Sequence, residues 1–202
     1  MALLLALTQP IIEPQVLSQP GLAGIVVPIP LADVQSGRVN ASLHSVFQTG
    51  MELYCRLTAE HFATRTHQEM WAQLEQLQAQ LPFAKVVLPF SSPSLKLVAQ
   101  SSVYGWDWHL EGATTCTQVA MALTAHTGGI WTQVDVLDSF HELDGDELCS
   151  QVRSFIDDRY IQAKKPLVVA SEIRDEDHVE RTLVYGCDRI VVGETLLAKL
   201  MR

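Results

Sequence analysis

The chain has 202 residues, 48% of them hydrophobic and 18% charged, with a formal charge of -9. So much apolar material with so little charge excludes an unfolded chain and gives a single domain, residues 1–202, enough side chains for a sizeable core. The acidic balance excludes nucleic acid as a partner, because phosphate contacts need a basic stripe and Lys164–Lys165 is the one basic pair.

Met1–Leu7 is apolar, but the run is too short for a secretion signal, lacks a basic start and meets Gln9–Pro10 without a small-residue cleavage site. It reads as a first strand, Leu3–Leu7. Further strands are predicted at Leu22–Val27, Met51–Cys55, Lys85–Pro89, Trp106–Leu110, Ile130–Val136, Leu167–Ala170 and Arg189–Val192. Between them the apolar period becomes helical, over Ile11–Ser18, Asp33–Gln48, Thr58–Gln80, Ser94–Gln100, Cys116–Thr127, Asp146–Ala163, Asp175–Tyr185 and Glu194–Met201. Thr58–Glu60 and Asp144–Asp146 supply capping residues ahead of long amphipathic stretches. No transmembrane run interrupts the pattern. Cys55, Cys116, Cys149 and Cys187 are far apart with no C-x-x-C, which predicts reduced thiols in a cytoplasmic protein without a structural zinc site.

Strict strand–helix alternation gives a parallel sheet with right-handed crossovers. Eight such units in a short chain predict an α/β fold, a closed (β/α)8 or TIM barrel. The chain is nevertheless shorter than the ~250 residues usual for that fold. No Gly-x-Gly-x-x-Gly and no P-loop supports a nucleotide-binding open sheet. In a barrel, function sits on the C-terminal ends of the strands. That selects Pro28–Pro30, Arg56, Ser91–Ser92, Glu111–Thr115, Asp135–His141, Ser171–Arg174 and Gly193–Glu194.

The fourth strand carries the sharpest question. Residues two apart share a face, so Lys85, Val87 and Pro89 lie on one side and Val86, Leu88 and Phe90 on the other. If the first side faces the barrel interior, the Lys85 amine sits among carbons, where a lowered pKa would make it a nucleophile. If Lys85 instead lies at the solvent end of the strand, it has no chemical role.

Leu22–Ile25, Thr58–Glu60, Val86–Pro89, Ala170–Ser171 and Tyr185–Asp188 fall in the order and spacing of the transaldolases, and the chain resembles their short fructose-6-phosphate aldolase-like subgroup. The resemblance implies a class I barrel in which a lysine on the fourth strand forms a Schiff base with a ketose. That lysine lies two residues before the strand's proline, and the matching position here is Val87. The first-strand aspartate is matched by Ala6, the third-strand glutamine by Leu53 and the sixth-strand tyrosine by Val134. The fifth-strand threonine falls at Ala113–Thr114, and Val27–Pro30 replaces the hydroxyl-binding loop. The phosphate end is implied at Ser171 and Arg174, one residue farther apart than usual. The resemblance thus implies a barrel that binds a sugar phosphate or another small anion, in a regulatory or assembly role, without standard Schiff-base catalysis and without a cofactor. Relatives carry a further C-terminal helix that packs on a neighbour in ring-like assemblies. This chain ends at Arg202 without it, so homo-oligomerisation is retained as an expectation and the ring form is not.

The competing reading is an active aldolase or transaldolase using Lys85. That needs the strand displaced by two residues, about 6.6 Å, where reacting atoms must come within ~3.5 Å. A further candidate is a divalent-cation site from Glu111, Asp135, Asp138, His141 and Glu172, although their spacing follows no metal motif and a solvated acidic loop is the simpler account. Trp106 and Trp108 share a face and either fill an emptied pocket or pack under a helix. His44, His61, His67, His126 and His178 fall on predicted helices as surface residues, and no Gly-x-Ser-x-Gly elbow points to serine hydrolysis.

Overall fold

The computed structural model describes residues 2–29, 42–57, 66–89, 106–109, 129–135, 168–184 and 187–201. Eight parallel strands close on one another: β1 (Ala2–Ala6), β2 (Leu22–Pro28), β3 (Glu52–Arg56), β4 (Lys85–Pro89), β5 (Asp107–His109), β6 (Ile130–Gln133), β7 (Val168–Ile173) and β8 (Arg189–Gly193). Each pairs with the next in sequence, and β8 returns to β1 through Leu3↔Ile190 and Leu5↔Val192. Among the described residues the helices are α1 (Pro14–Leu17), α2 (Ser42–Thr49), α3 (His67–Gln80), α4 (Glu176–Val184) and α5 (Glu194–Leu200). The chain is therefore the expected TIM barrel.

The period of two along the strands separates two apolar clusters. Leu5, Ile25, Val27, Leu53, Val86, Leu88, Trp108 and Val192 point outward, against Leu43 and Val46 of α2, Met70, Leu74 and Leu77 of α3, and Leu196 and Leu197 of α5. Leu4, Val26, Tyr54, Val87, Trp131 and Val191 point inward and fill the barrel's middle. Each such side chain stabilises the fold by about 1.5–3 kcal/mol through burial. Gly24 is required by this packing, because a Cβ there would lie 2.6 Å from the carbonyl oxygen of Glu52 and 3.1 Å from Leu4 Cδ2. Trp106 and Trp108 belong to the outer cluster. The indole of Trp106 stacks on Trp71 of α3 at 5.5 Å, and its Nε1 donates to Gln78 at 3.0 Å. The two tryptophans thus pack under a helix.

Boundaries differ where local chemistry overrides the apolar pattern. α1 begins only at Pro14, whose fixed φ suits a first helical position, so Ile11 to Glu13 stay outside the helix. The described start of α3 is set by Thr66, whose hydroxyl accepts from Glu69 N while Glu69 reaches back to Thr66 N at 2.8 Å, a capping box inside the predicted Thr58–Gln80 helix. β6 stops at Gln133, since the chain turns helical at Val134. β7 runs three residues beyond the predicted Ala170, through a shift in its pairing with β8. The predicted helices Ser94–Gln100, Cys116–Thr127 and Asp146–Ala163 lie outside the described residues. Among those described, no helix is long and apolar enough to cross a membrane.

Candidate functional site

Because Lys85 opens β4 and Val87 follows two residues later, the interior places the lysine one layer below the valine, toward the N-terminal end of the barrel. Lys85 Nζ donates to Glu52 Oε1 at 2.8 Å and lies 3.4 Å from the Tyr54 hydroxyl. The same carboxylate pairs with Arg189 and accepts from Tyr54 at 3.0 Å. Val87 is fully buried against the inner cluster, at the height where the resemblance puts the nucleophile. Ala6 also packs against that cluster. Leu53 and Val134, in contrast, join the outer cluster, so neither matched position faces the interior. The inward residues of β3 are Glu52, Tyr54 and Arg56.

Above the apolar layer, polar groups collect at the C-terminal mouth. His109, the last residue of β5, is fully buried, and its Nε2 lies 2.8 Å from Ser171 Oγ. Ser171 is buried as well and donates to the carbonyl of Thr132 at 3.2 Å. The serine hydroxyl thus bridges the imidazole and that carbonyl, and the direction of the 2.8 Å contact follows the imidazole tautomer.

The next residue, Glu172, stands at φ +60°, in the left-handed region that disfavours a side chain. That conformation costs about 1–3 kcal/mol. It turns the carboxylate across the mouth, where Gln133 Nε2 donates to it at 3.0 Å and Arg56 approaches to 3.7 Å. On the rim, the His178 backbone N–H donates to Asp175 at 3.0 Å, holding that carboxyl below its usual range. His178 Nδ1 accepts from Arg174 N at 3.3 Å, and His178 Nε2 is 3.9 Å from Asp135. His178 is buried, not the surface residue predicted.

Ser171 and Arg174 are therefore separated in environment: the serine is inside the wall, while Arg174 is exposed on the loop. Asp135 and Glu172 both reach the mouth, whereas Glu111, Asp138 and His141 lie outside the described residues. Among those described, no three His, Cys, Asp or Glu side chains converge as a metal site.

Beneath the mouth, Asp107 is a buried carboxylate whose oxygens accept from Gly129 N at 2.7 Å and Trp131 Nε1 at 2.9 Å. Burial pushes its pKa up, against the pull of these two hydrogen bonds. A Cβ at position 129 would crowd Asp107 Oδ2 at 3.1 Å, so a larger residue there would press on the carboxylate. Asp107 and His109 are legible in hindsight: they alternate with Trp106 and Trp108, and if the tryptophans pack outward, these two face in. Burial also pushes the Cys55 and Cys187 thiols up to about 12, which leaves them unreactive. Cys116 and Cys149 lie outside the described residues.

The closed ring of eight parallel strands, with polar groups collected at its C-terminal mouth, defines a TIM barrel. No protein-family model matches the sequence, and no curated protein sequence matches it. Among solved structures the chain is similar to a protein assigned as a deoxyribose-phosphate aldolase from Coccidioides immitis, at 13% identity and a TM-score of 0.63, over 98% of this chain and 82% of that one. It is also similar to tryptophan synthase from M. tuberculosis, at 14% identity and a TM-score of 0.58, over 98% of this chain and 85% of that one.

Proposed function

We propose that this chain is a transaldolase-like barrel of sugar-phosphate carbon metabolism that binds a sugar phosphate or another small anion and has lost Schiff-base catalysis. The observation that carries this reading is the exchange of roles on β4. Val87 is sealed into the apolar layer, and the Lys85 amine is engaged by Glu52 toward the N-terminal end. A Schiff-base amine must be free to lose its proton and reach a carbonyl carbon. The Lys85 amine is instead tied to Glu52 and lies 3.4 Å from the Tyr54 hydroxyl, one layer below Val87 and away from a carbonyl carbon bound at the mouth. For the ligand, Arg174 is the candidate contact, exposed beyond β7 and without an ion-pair partner among the described residues. Ser171 would serve by holding the strand end through His109 and Thr132.

Two measurements test the reading. After incubation with fructose 6-phosphate or dihydroxyacetone and reduction with borohydride, the intact mass should be unchanged. An adduct that disappears in Lys85→Ala would overturn the loss of catalysis and establish a working aldolase or transferase. Inorganic phosphate or fructose 6-phosphate should raise the thermal midpoint, and Arg174→Ala should abolish the rise. No rise in the unaltered protein would refute the anion site.

A further inference from the structure

Arg56 ends β3 on the same inward face as Glu52 and Tyr54, and in the register with β4 it stands beside Val87. A guanidinium thus lies next to the residue that the resemblance matches to the Schiff-base lysine. Its side chain is 27% exposed, so part of it still meets solvent at the mouth. The carboxylate that faces it is Glu172. Glu172 Oε1 lies 3.7 Å from Arg56 Nη2, too far for a charge-assisted hydrogen bond, which closes at about 2.7–2.9 Å. Glu172 reaches this place from a backbone at φ +60°, while Gln133 Nε2 holds its other oxygen at 3.0 Å. An ion pair kept for stability would close its hydrogen bonds on relaxed backbone. This one does neither, and strain of this kind gathers at ligand clamps and switches.

From these features we infer that Arg56 is the inner contact for a phosphate group and that Glu172 is its internal competitor, a carboxylate standing where the ligand's oxygens go. The inference rests on the anion-binding reading of the mouth and gives that site its inner residue and its control. Arg174 remains the outer contact. A guanidinium fork can meet two phosphate oxygens at once, which a carboxylate held at 3.7 Å does not achieve. Glu172 also repels an arriving anion until it moves aside. Binding therefore exchanges one anion for another, and no covalent bond forms or breaks. A neutral sugar cannot make that exchange, so the site selects the phosphorylated form.

Calorimetric titration of the full chain with inorganic phosphate, fructose 6-phosphate and fructose provides the test. Glu172→Gln keeps the side chain's length and the left-handed backbone and removes only the charge. It should bind both phosphates about threefold to tenfold more tightly than the unaltered chain, and fructose should bind to neither. Arg56→Gln should weaken phosphate binding by roughly tenfold or more, with Arg56→Lys in between because it keeps the charge without the fork. Adding Glu172→Gln to Arg56→Gln should bring no gain, since the competitor acts only through the arginine. Should the Arg56 variants fail to fold, Glu172→Gln at its largely solvated position carries the test alone. Equal phosphate affinity in Glu172→Gln and the unaltered chain overturns the inference, as does an undiminished gain in the Arg56→Gln background. If the unaltered chain binds phosphate, Arg174→Ala does not and Glu172→Gln brings no gain, the anion reading stands and this inference falls. If only Glu172→Gln binds phosphate, the inference stands and an open anion site in the unaltered chain is refuted. Absence of phosphate binding in every variant overturns both.

Discussion

At the N-terminal end of the barrel, Glu52 gathers Lys85, Arg189 and Tyr54 around one carboxylate on regular strand backbone. At the C-terminal end, Glu172 holds Gln133 and Arg56 from a backbone at φ +60°. Both ends place a carboxylate among cationic and neutral partners, two cations at the first and one at the second, but only the second does so in a costly conformation. Between them, Leu4, Val26, Tyr54, Val87, Trp131 and Val191 form a largely apolar layer, with the Asp107 carboxylate beside Trp131. The difference teaches that position along a barrel strand sets the meaning of a charge. Low in the barrel, a lysine closes a network; high in it, strain marks a group placed for something other than stability.

The largest effect should come from breaking the layer that separates the two ends. Trp131→Ala removes a fully buried indole that packs edge-on against Tyr54 at 5.1 Å, and it strips Asp107 of a donor. A loss of about 3–5 kcal/mol is expected in urea unfolding. Trp131→Phe keeps most of the volume and removes only the N–H, and should cost about 1–2 kcal/mol. The same layer predicts a pH effect. Burial raises the folded pKa of Asp107 above its ordinary 3.8, so the native state keeps this proton at higher pH than the unfolded chain does. Its contribution is full below the unfolded value and is lost as pH rises through the folded one. Asp107→Asn should flatten that fall when unfolding midpoints are compared from about pH 3.8 upward.

Next comes the lower network. Glu52→Gln leaves Arg189, whose side chain is 15% exposed, with a buried charge no longer neutralised, and should cost about 2 kcal/mol. Lys85→Met removes a side chain that is 40% exposed and should cost less than about 0.5 kcal/mol. Equal costs would show that Lys85 is more deeply engaged than an ordinary partly exposed ion pair.

The barrel was legible in the sequence because its strands are short apolar runs at regular intervals, and the parity of β4 put Lys85 and Val87 on one face, which the structure turns inward. What remained hidden depends on distances between strands. Nothing in the local pattern links Glu52 to Lys85 and Arg189, which lie far apart in sequence and meet only through barrel closure. The resemblance to transaldolases supplied residue matches but no facing. Leu53 and Val134 were matched to interior groups, yet both pack outward, because the inward parity of β3 runs through Glu52 and Tyr54, and β6 ends before Val134. Ser171 and Arg174 were paired by the resemblance alone, and the sequence did not show that the extension of β7 sets the serine in the wall while the arginine stays exposed.

A smaller effect, opposite in sign, belongs to the mouth. Glu172→Gly relieves a left-handed side chain and should stabilise the protein by about 1 kcal/mol. Glu172→Ala keeps the Cβ and should not. If both variants are neutral, the conformation is not strained and the contrast between the two ends loses its energetic basis. If glycine stabilises while phosphate no longer raises the thermal midpoint, stability has been surrendered for a group that shapes the binding face.

The smallest effect concerns Asp175, an exposed carboxylate at the start of α4. The His178 N–H lowers its folded pKa below 3.8, with the charge of His178 itself and of Arg181 acting in the same direction. Here the unfolded chain binds the proton more readily, so the contribution is present above the unfolded value and is lost as pH falls through the folded one. Asparagine also caps helices well. Asp175→Asn should therefore leave the unfolding midpoint near neutral pH almost unchanged and weaken only its acid dependence. Asp107 and Asp175 then bend the pH profile in opposite directions from the inside and the rim of one barrel. A profile of Asp175→Asn that matches the unaltered chain at acid pH would show that the hydrogen bond from His178 holds the helix start without favouring the charge.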